Sequence, residues 1–147
     1  MSEGKIVYDT SVYIEILRSK RFADSIRARY QADIPITFFS SVVVQELLAG
    51  ATDQLKLAAV EGLYRPFERS RRIVTPTHAA WREAGRLVGI MRGKRRDRKD
   101  SLIGSFINDL LIAISARSIG ARVVTLNADD FSMIRKFMPL ELEVLTA

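Results

Sequence analysis

The sequence contains no cysteine. Disulfides, thiolate zinc sites, iron–sulfur clusters and cysteine nucleophiles are therefore all excluded. Histidine occurs once, as His78, so no site can use two imidazoles. A metal would have to be held mainly by oxygen, which favours Mg2+ or Mn2+ over zinc or copper. Neither a G-x-G-x-x-G turn nor a P-loop occurs, which removes support for dinucleotide and ATP folds. The opening Met1-Ser2-Glu3-Gly4-Lys5 lacks the basic start, apolar stretch and cleavage site of a secretory signal. The most apolar region, Leu102 to Ala116, is broken by Asn108-Asp109 and falls short of the roughly 18 consecutive apolar residues a spanning helix needs. The expectation is a cytoplasmic chain with no membrane association. Repeats and low-complexity stretches are also absent.

What is present suits one domain over residues 1–147: the chain is 48% apolar, enough for one substantial core. Lys and Arg exceed Asp and Glu by 23 − 17 = 6, and the pI is about 10.0. That charge suits a polyanionic partner.

Short apolar runs alternate with helical spacing along the chain. Lys5-Ile6-Val7-Tyr8, Ile36-Thr37-Phe38-Phe39, Arg72-Ile73-Val74, Arg122-Val123-Val124-Thr125-Leu126 and Leu142-Glu143-Val144-Leu145 read as strands. Between them, helices are expected after Asp9, over about 22–30, from Ser41 to about Gly50, over 53–69, from Thr77 through Met91, over 102–119, and as a short turn after Asp129. Alternation of this kind implies crossover units and a mostly parallel central sheet of about five strands, covered on both faces. Ligands gather outside the carboxyl ends of such strands. Asp9 and the Asn127 to Asp130 group lie at that edge.

Four acidic features stand in apolar or strand-end settings. Asp109 lies among Phe106, Ile107, Leu110, Leu111, Ile112 and Ile114, where a lone carboxylate costs several kcal/mol unless something compensates it. A buried Arg, backbone N–H groups or a metal would each serve. Glu46 sits in Val-Val-Val-Gln-Glu-Leu-Leu and could instead face solvent. Asp9 follows a core strand and could instead cap the next helix. Thr125-Leu126-Asn127-Ala128-Asp129-Asp130-Phe131 follows another strand and could be a polar turn. Jointly, two acids at strand ends and two on apolar helices can meet in one crevice. Such carboxylates repel one another without cations. Mg2+ answers the repulsion, activates water and stabilises charge on a phosphate.

Val7-Tyr8-Asp9-Thr10-Ser11-Val12-Tyr13-Ile14, Gln45-Glu46-Leu47, Asn108-Asp109-Leu110-Leu111-Ile112-Ala113 and Thr125-Leu126-Asn127-Ala128-Asp129-Asp130-Phe131 resemble, in order and over nearly the whole chain, the motifs of the PIN domains. Within that family the likeness is to the VapC-type toxins, small Mg2+-dependent endoribonucleases paired with an antitoxin. The resemblance implies a three-layer α/β/α fold, usually a homodimer, and metal-binding or catalytic roles for Asp9, Glu46 and Asp109. Relatives with Asn at the position of Asn127 tend to carry an acid where Asp130 stands. Asp130 is thus the expected fourth acid, with Asn127 assisting and Asp129 the weaker choice. Thr10, Ser11 and Thr125 fit supporting hydroxyl positions. RNA is the implied substrate and Mn2+ a possible substitute for Mg2+.

Arg92, Lys94, Arg95, Arg96, Arg98 and Lys99 form a basic stretch against Asp97, able to neutralise RNA phosphates or, equally, to be a solvated loop or to pair with an acidic partner. His78 is expected in a first helical turn, and Trp81 and Met91 in the core. An aspartyl-nucleophile phosphatase would want a second Asp two residues after Asp9, where Ser11 stands. The rival from another class is a non-catalytic nucleic-acid or protein-binding module with the same fold.

Overall fold

The computed structural model describes residues 4–94 and 100–147, with side chains described for 4–93 and 106–147. Arg95, Arg96, Arg98, Lys99 and the side chain of Lys94 lie outside the described residues. Five parallel strands, β1 (Ile6–Tyr8), β2 (Thr37–Ser40), β3 (Ile73–Val74), β4 (Arg122–Thr125) and β5 (Leu142–Val144), form one sheet in the order β3-β2-β1-β4-β5. Seven helices among the described residues flank it: α1 (Thr10–Arg18), α2 (Lys20–Asp33), α3 (Ser41–Ala49), α4 (Gln54–Arg69), α5 (His78–Lys94), α6 (Asp100–Ser118) and α7 (Ala128–Arg135). The parallel sheet covered on both faces, expected from the alternating pattern, and the three-layer α/β/α fold implied by the resemblance are thus observed.

Strand β1 is central, and all three of its residues are buried. A parallel strand covered on both faces has no polar side to present, which is why Ile6-Val7-Tyr8 reads as a continuous apolar run. From β1 the chain moves to β2 and β3 on one side, then to β4 and β5 on the other. The order therefore reverses between β1 and β4, and a crevice opens at that point beyond the strands' carboxyl ends. Asp9 and Thr125 flank it, and the Asp9 N–H donates to the Val124 carbonyl at 3.0 Å.

Helix α6 explains its own lack of amphipathicity. Phe106, Leu110, Leu111, Ile112, Ala113, Ile114 and Ala116 are all buried, so it presents apolar surface in most directions. It ends where Gly120 takes a left-handed φ of 70°, a conformation that L side chains rarely adopt. Ser40 caps α3 by accepting from the Val42 N–H at 3.2 Å. Tyr8, the last residue of β1, donates to Asp33 at 2.7 Å, and the hydroxyls of Tyr13 and Tyr30 lie 3.0 Å apart.

One core expectation fails. Trp81 is 55% exposed, because the buried stripe of α5 runs through Ala80, Ala84, Leu87, Val88 and Met91. At about 100° per residue, the position after Ala80 is turned off that stripe. His78 stands exposed in the first turn of α5, as its place in the sequence implied.

Candidate metal centre

Asp9 is 2% exposed at the N-terminal boundary of α1, yet its side chain makes no cap hydrogen bond. Its oxygens turn to hydroxyls instead: Ser11 donates at 2.6 Å and Thr125 at 2.9 Å. The two hydroxyls are 3.4 Å apart. Ser11 accepts in turn from the Leu126 N–H at 3.0 Å, and Thr125 from the Asn127 N–H at 2.8 Å. Backbone groups after β4 therefore set the two hydroxyls, and the hydroxyls set the carboxylate. Burial nevertheless pushes the Asp9 carboxyl up to about 6; these two hydroxyls and the first-turn N–H groups of Val12 and Ser11 oppose that rise.

Glu46 is half-buried on α3, not turned wholly to solvent. Thr10 donates to Oε1 at 2.6 Å and the Asn108 amide to Oε2 at 3.3 Å. Asp130, in the first turn of α7, exchanges hydrogen bonds with Asn127: its backbone N–H donates to Asn127 Oδ1 at 3.3 Å, and Asn127 Nδ2 donates to its Oδ2 at 2.9 Å. Asp129, one residue earlier, is exposed.

Asp109 joins these groups electrostatically. Its carboxyl is pushed up to about 8, first by burial and then by the charges of Asp9, Asp130 and Glu46. A hydrogen bond with Asp130, which only the protonated form of Asp109 can donate, adds to the rise. The three remaining acids thus all bear on the one carboxyl that α6 places among apolar neighbours. The compensating buried Arg weighed for Asp109 is not among these influences.

Among the described residues, no three His, Cys, Asp or Glu side chains stand as a ready-made cage for a cation. Asp9, Glu46 and Asp130 each accept instead from neutral donors of their own. The donor set still fits a hard dication: it is all oxygen, partly desolvated and mutually repelling, and a cation would replace the proton that Asp109 retains. Thr10, Ser11, Thr125 and Asn127 all contact an acid of the group. Asn108 does too, and sequence reasoning passed over it. Its one signal was adjacency to Asp109. Of the basic stretch, only Arg92 has a described side chain, exposed near the end of α5.

Among the described residues, no helix is long and apolar enough to cross a membrane. The family model described as PIN domain matches residues 6–136. No curated protein matches the sequence significantly. Among solved structures, DNA-bound VapBC from Salmonella typhimurium matches with a TM-score of 0.70 at 25% identity, covering 95% of this chain and 97% of that one. VapBC-1 from nontypeable Haemophilus influenzae matches at TM-score 0.65 and 22% identity, over 95% and 96%. VapBC2 from Rickettsia felis, bound to a DNA fragment from its promoter, matches at TM-score 0.65 and 19% identity, over 96% and 98%. At those last two identities the likeness is one of fold.

Proposed function

Since the chain belongs to the PIN domain family, we propose that it is a Mg2+-dependent endoribonuclease, the toxin of a toxin–antitoxin pair. The observation that carries the proposal is the concentration of three acids' charge on the half-buried Asp109. Asp9, Glu46, Asp109 and Asp130 would hold Mg2+, or Mn2+ in its place. Bound there, the ion would supply positive charge for a phosphodiester and an acidified water. The chain's own part is orientation. Ser11 and Thr125 fix both oxygens of Asp9, Thr10 and Asn108 fix those of Glu46, and Asn127 fixes Asp130. All five donors are neutral, so they aim the carboxylates without cancelling their charge. A net charge of +6 favours approach of an RNA backbone.

The test is incubation of a labelled single-stranded RNA, and of DNA of the same sequence, with the purified protein in Mg2+. RNA cleavage is expected, abolished by EDTA and lowered at least about 100-fold in Glu46→Gln. Cleavage that persists in EDTA contradicts the proposal. A folded protein that binds RNA but cuts none would be the binding module.

The partner reading has its own surface. A groove of about 460 Å³ between α1, α3 and α4 is lined by Ile14, Leu17, Leu47, Leu55 and Val60 and reaches Glu46. Leu55 is 85% exposed and Ile14 and Leu17 more than 40%, an apolar exposure that suits a docked helix. The matched structures from Salmonella typhimurium and Haemophilus influenzae are of VapBC, which supports an antitoxin as occupant. Because Glu46 helps line the groove, an occupant there would cover a proposed site acid. Leu55→Glu is expected to leave RNA cleavage intact and weaken inhibition by the antitoxin at least about tenfold, measured by titrating antitoxin into the cleavage reaction. Unchanged inhibition would remove this groove as the docking site. A homodimer, implied by the resemblance alone, is tested by sedimentation.

A further inference from the structure

Glu46 is suspended between the chain neighbours of two other acids. Its Oε1 accepts from Thr10, the residue after Asp9, and its Oε2 from Asn108, the residue before Asp109. Peptide bonds join Thr10 to Asp9 and Asn108 to Asp109. A continuous path therefore runs from Asp9 through Thr10, Glu46 and Asn108 to Asp109, crossing β1's end, α3 and α6. Glu46 lies on a longer and more flexible side chain than the aspartates. Without anchors at both oxygens it would keep rotamer freedom that must be lost on binding a cation.

The chemistry of the anchor matters as much as its place. A Lys or Arg at 108 would put a resident cation against the acids and compete with any incoming ion. Alanine would leave Oε2 unpaired. An amide donates a hydrogen bond and brings no charge.

We infer that Asn108 is a positioning residue that holds the Glu46 carboxylate for divalent-cation binding, acting from the same helix that presents Asp109. This rests on the metal-nuclease reading above. Asn108 touches neither RNA nor reacting atoms in this role, and all of its effect passes through Glu46.

The experiment is equilibrium titration with Mn2+ alone, without RNA, on the wild type, Asn108→Leu, Asn108→Gln, Glu46→Ala and the Asn108→Leu/Glu46→Ala pair, with circular dichroism checking the fold. Asn108→Leu is expected to weaken Mn2+ binding about tenfold, the usual effect of removing a hydrogen-bonding partner of a ligand. Asn108→Gln, which keeps the amide, should recover part of that loss. In the Glu46→Ala background Asn108→Leu should cost nothing more. Should Asn108→Leu fail to fold, Asn108→Ala takes its place in the same comparison. Unchanged Mn2+ affinity, or an equal loss with and without Glu46, overturns the inference and leaves the nuclease reading standing. A wild type that binds no Mn2+ removes both.

Discussion

Asp109→Asn is expected to abolish RNA cleavage and, at the same time, to raise the melting temperature of the metal-free protein at pH 8 by roughly 5 °C or more. The two effects have one cause. Asp109 is held among apolar side chains of α6 with the charges of Asp9, Asp130 and Glu46 bearing on it, so its folded carboxyl is pushed up to about 8 from an ordinary 3.8. Between those values the folded state binds a proton that the unfolded chain releases. The contribution is therefore fully present below about pH 4 and is lost as pH rises through 8. Asparagine keeps the shape of the protonated acid without its ionisation, which recovers on the order of a few kcal/mol at pH 8. It also removes an anionic ligand, so the stabilised protein should be inactive. Thermal melts of both proteins in EDTA, at pH 5 and pH 8, check the stability half. The gap should be small at pH 5 and large at pH 8. A destabilised Asp109→Asn at pH 8 would mean that the carboxylate is compensated by a partner inside the fold.

The second large effect concerns Mg2+ and pH together. A cation at these acids must displace the Asp109 proton, and below about pH 6 that of Asp9 as well. Both carboxyls are shifted in the same direction, so their contributions add. The Mg2+ concentration giving half-maximal stabilisation should fall about tenfold from pH 6 to pH 7 and level off above pH 8. The metal-free protein should lose stability over the same range, so that Mg2+ raises the melting temperature far more at pH 8 than at pH 6. A Mg2+ dependence that is flat from pH 6 to pH 8 would show that Asp109 is already ionised without metal, or that the ion binds elsewhere.

Much of this was legible in the residues. The strands announced themselves as apolar runs such as Ile6-Val7-Tyr8 because a central parallel strand is buried on both faces. Asp109 stood out because a charged residue interrupts a helix that is otherwise apolar, and Glu46 for the same reason. The hydroxyls of Thr10, Ser11 and Thr125 were legible by resemblance, and each is found on an acid of the group. Periodicity could not reveal contacts that depend on how elements meet. Asn108 reaches Glu46 across 62 positions of sequence, and nothing local to either residue records that pairing. Likewise, only the folded first turn of α7 shows that Asn127 engages Asp130 while Asp129 stands exposed. Trp81 misled for a simpler reason. A large apolar residue in a helical pattern was assigned to the core, although the stripe that packs is offset by one position.

The measurement that bears most directly on the central claim is a calorimetric titration of Mn2+ into the wild type and into Asp109→Asn at pH 8, in the absence of RNA. The account predicts saturable binding to the wild type that is weakened at least about 100-fold in the folded variant. Equal binding by both proteins, or none by either, would contradict a metal centre built on Asp9, Glu46, Asp109 and Asp130.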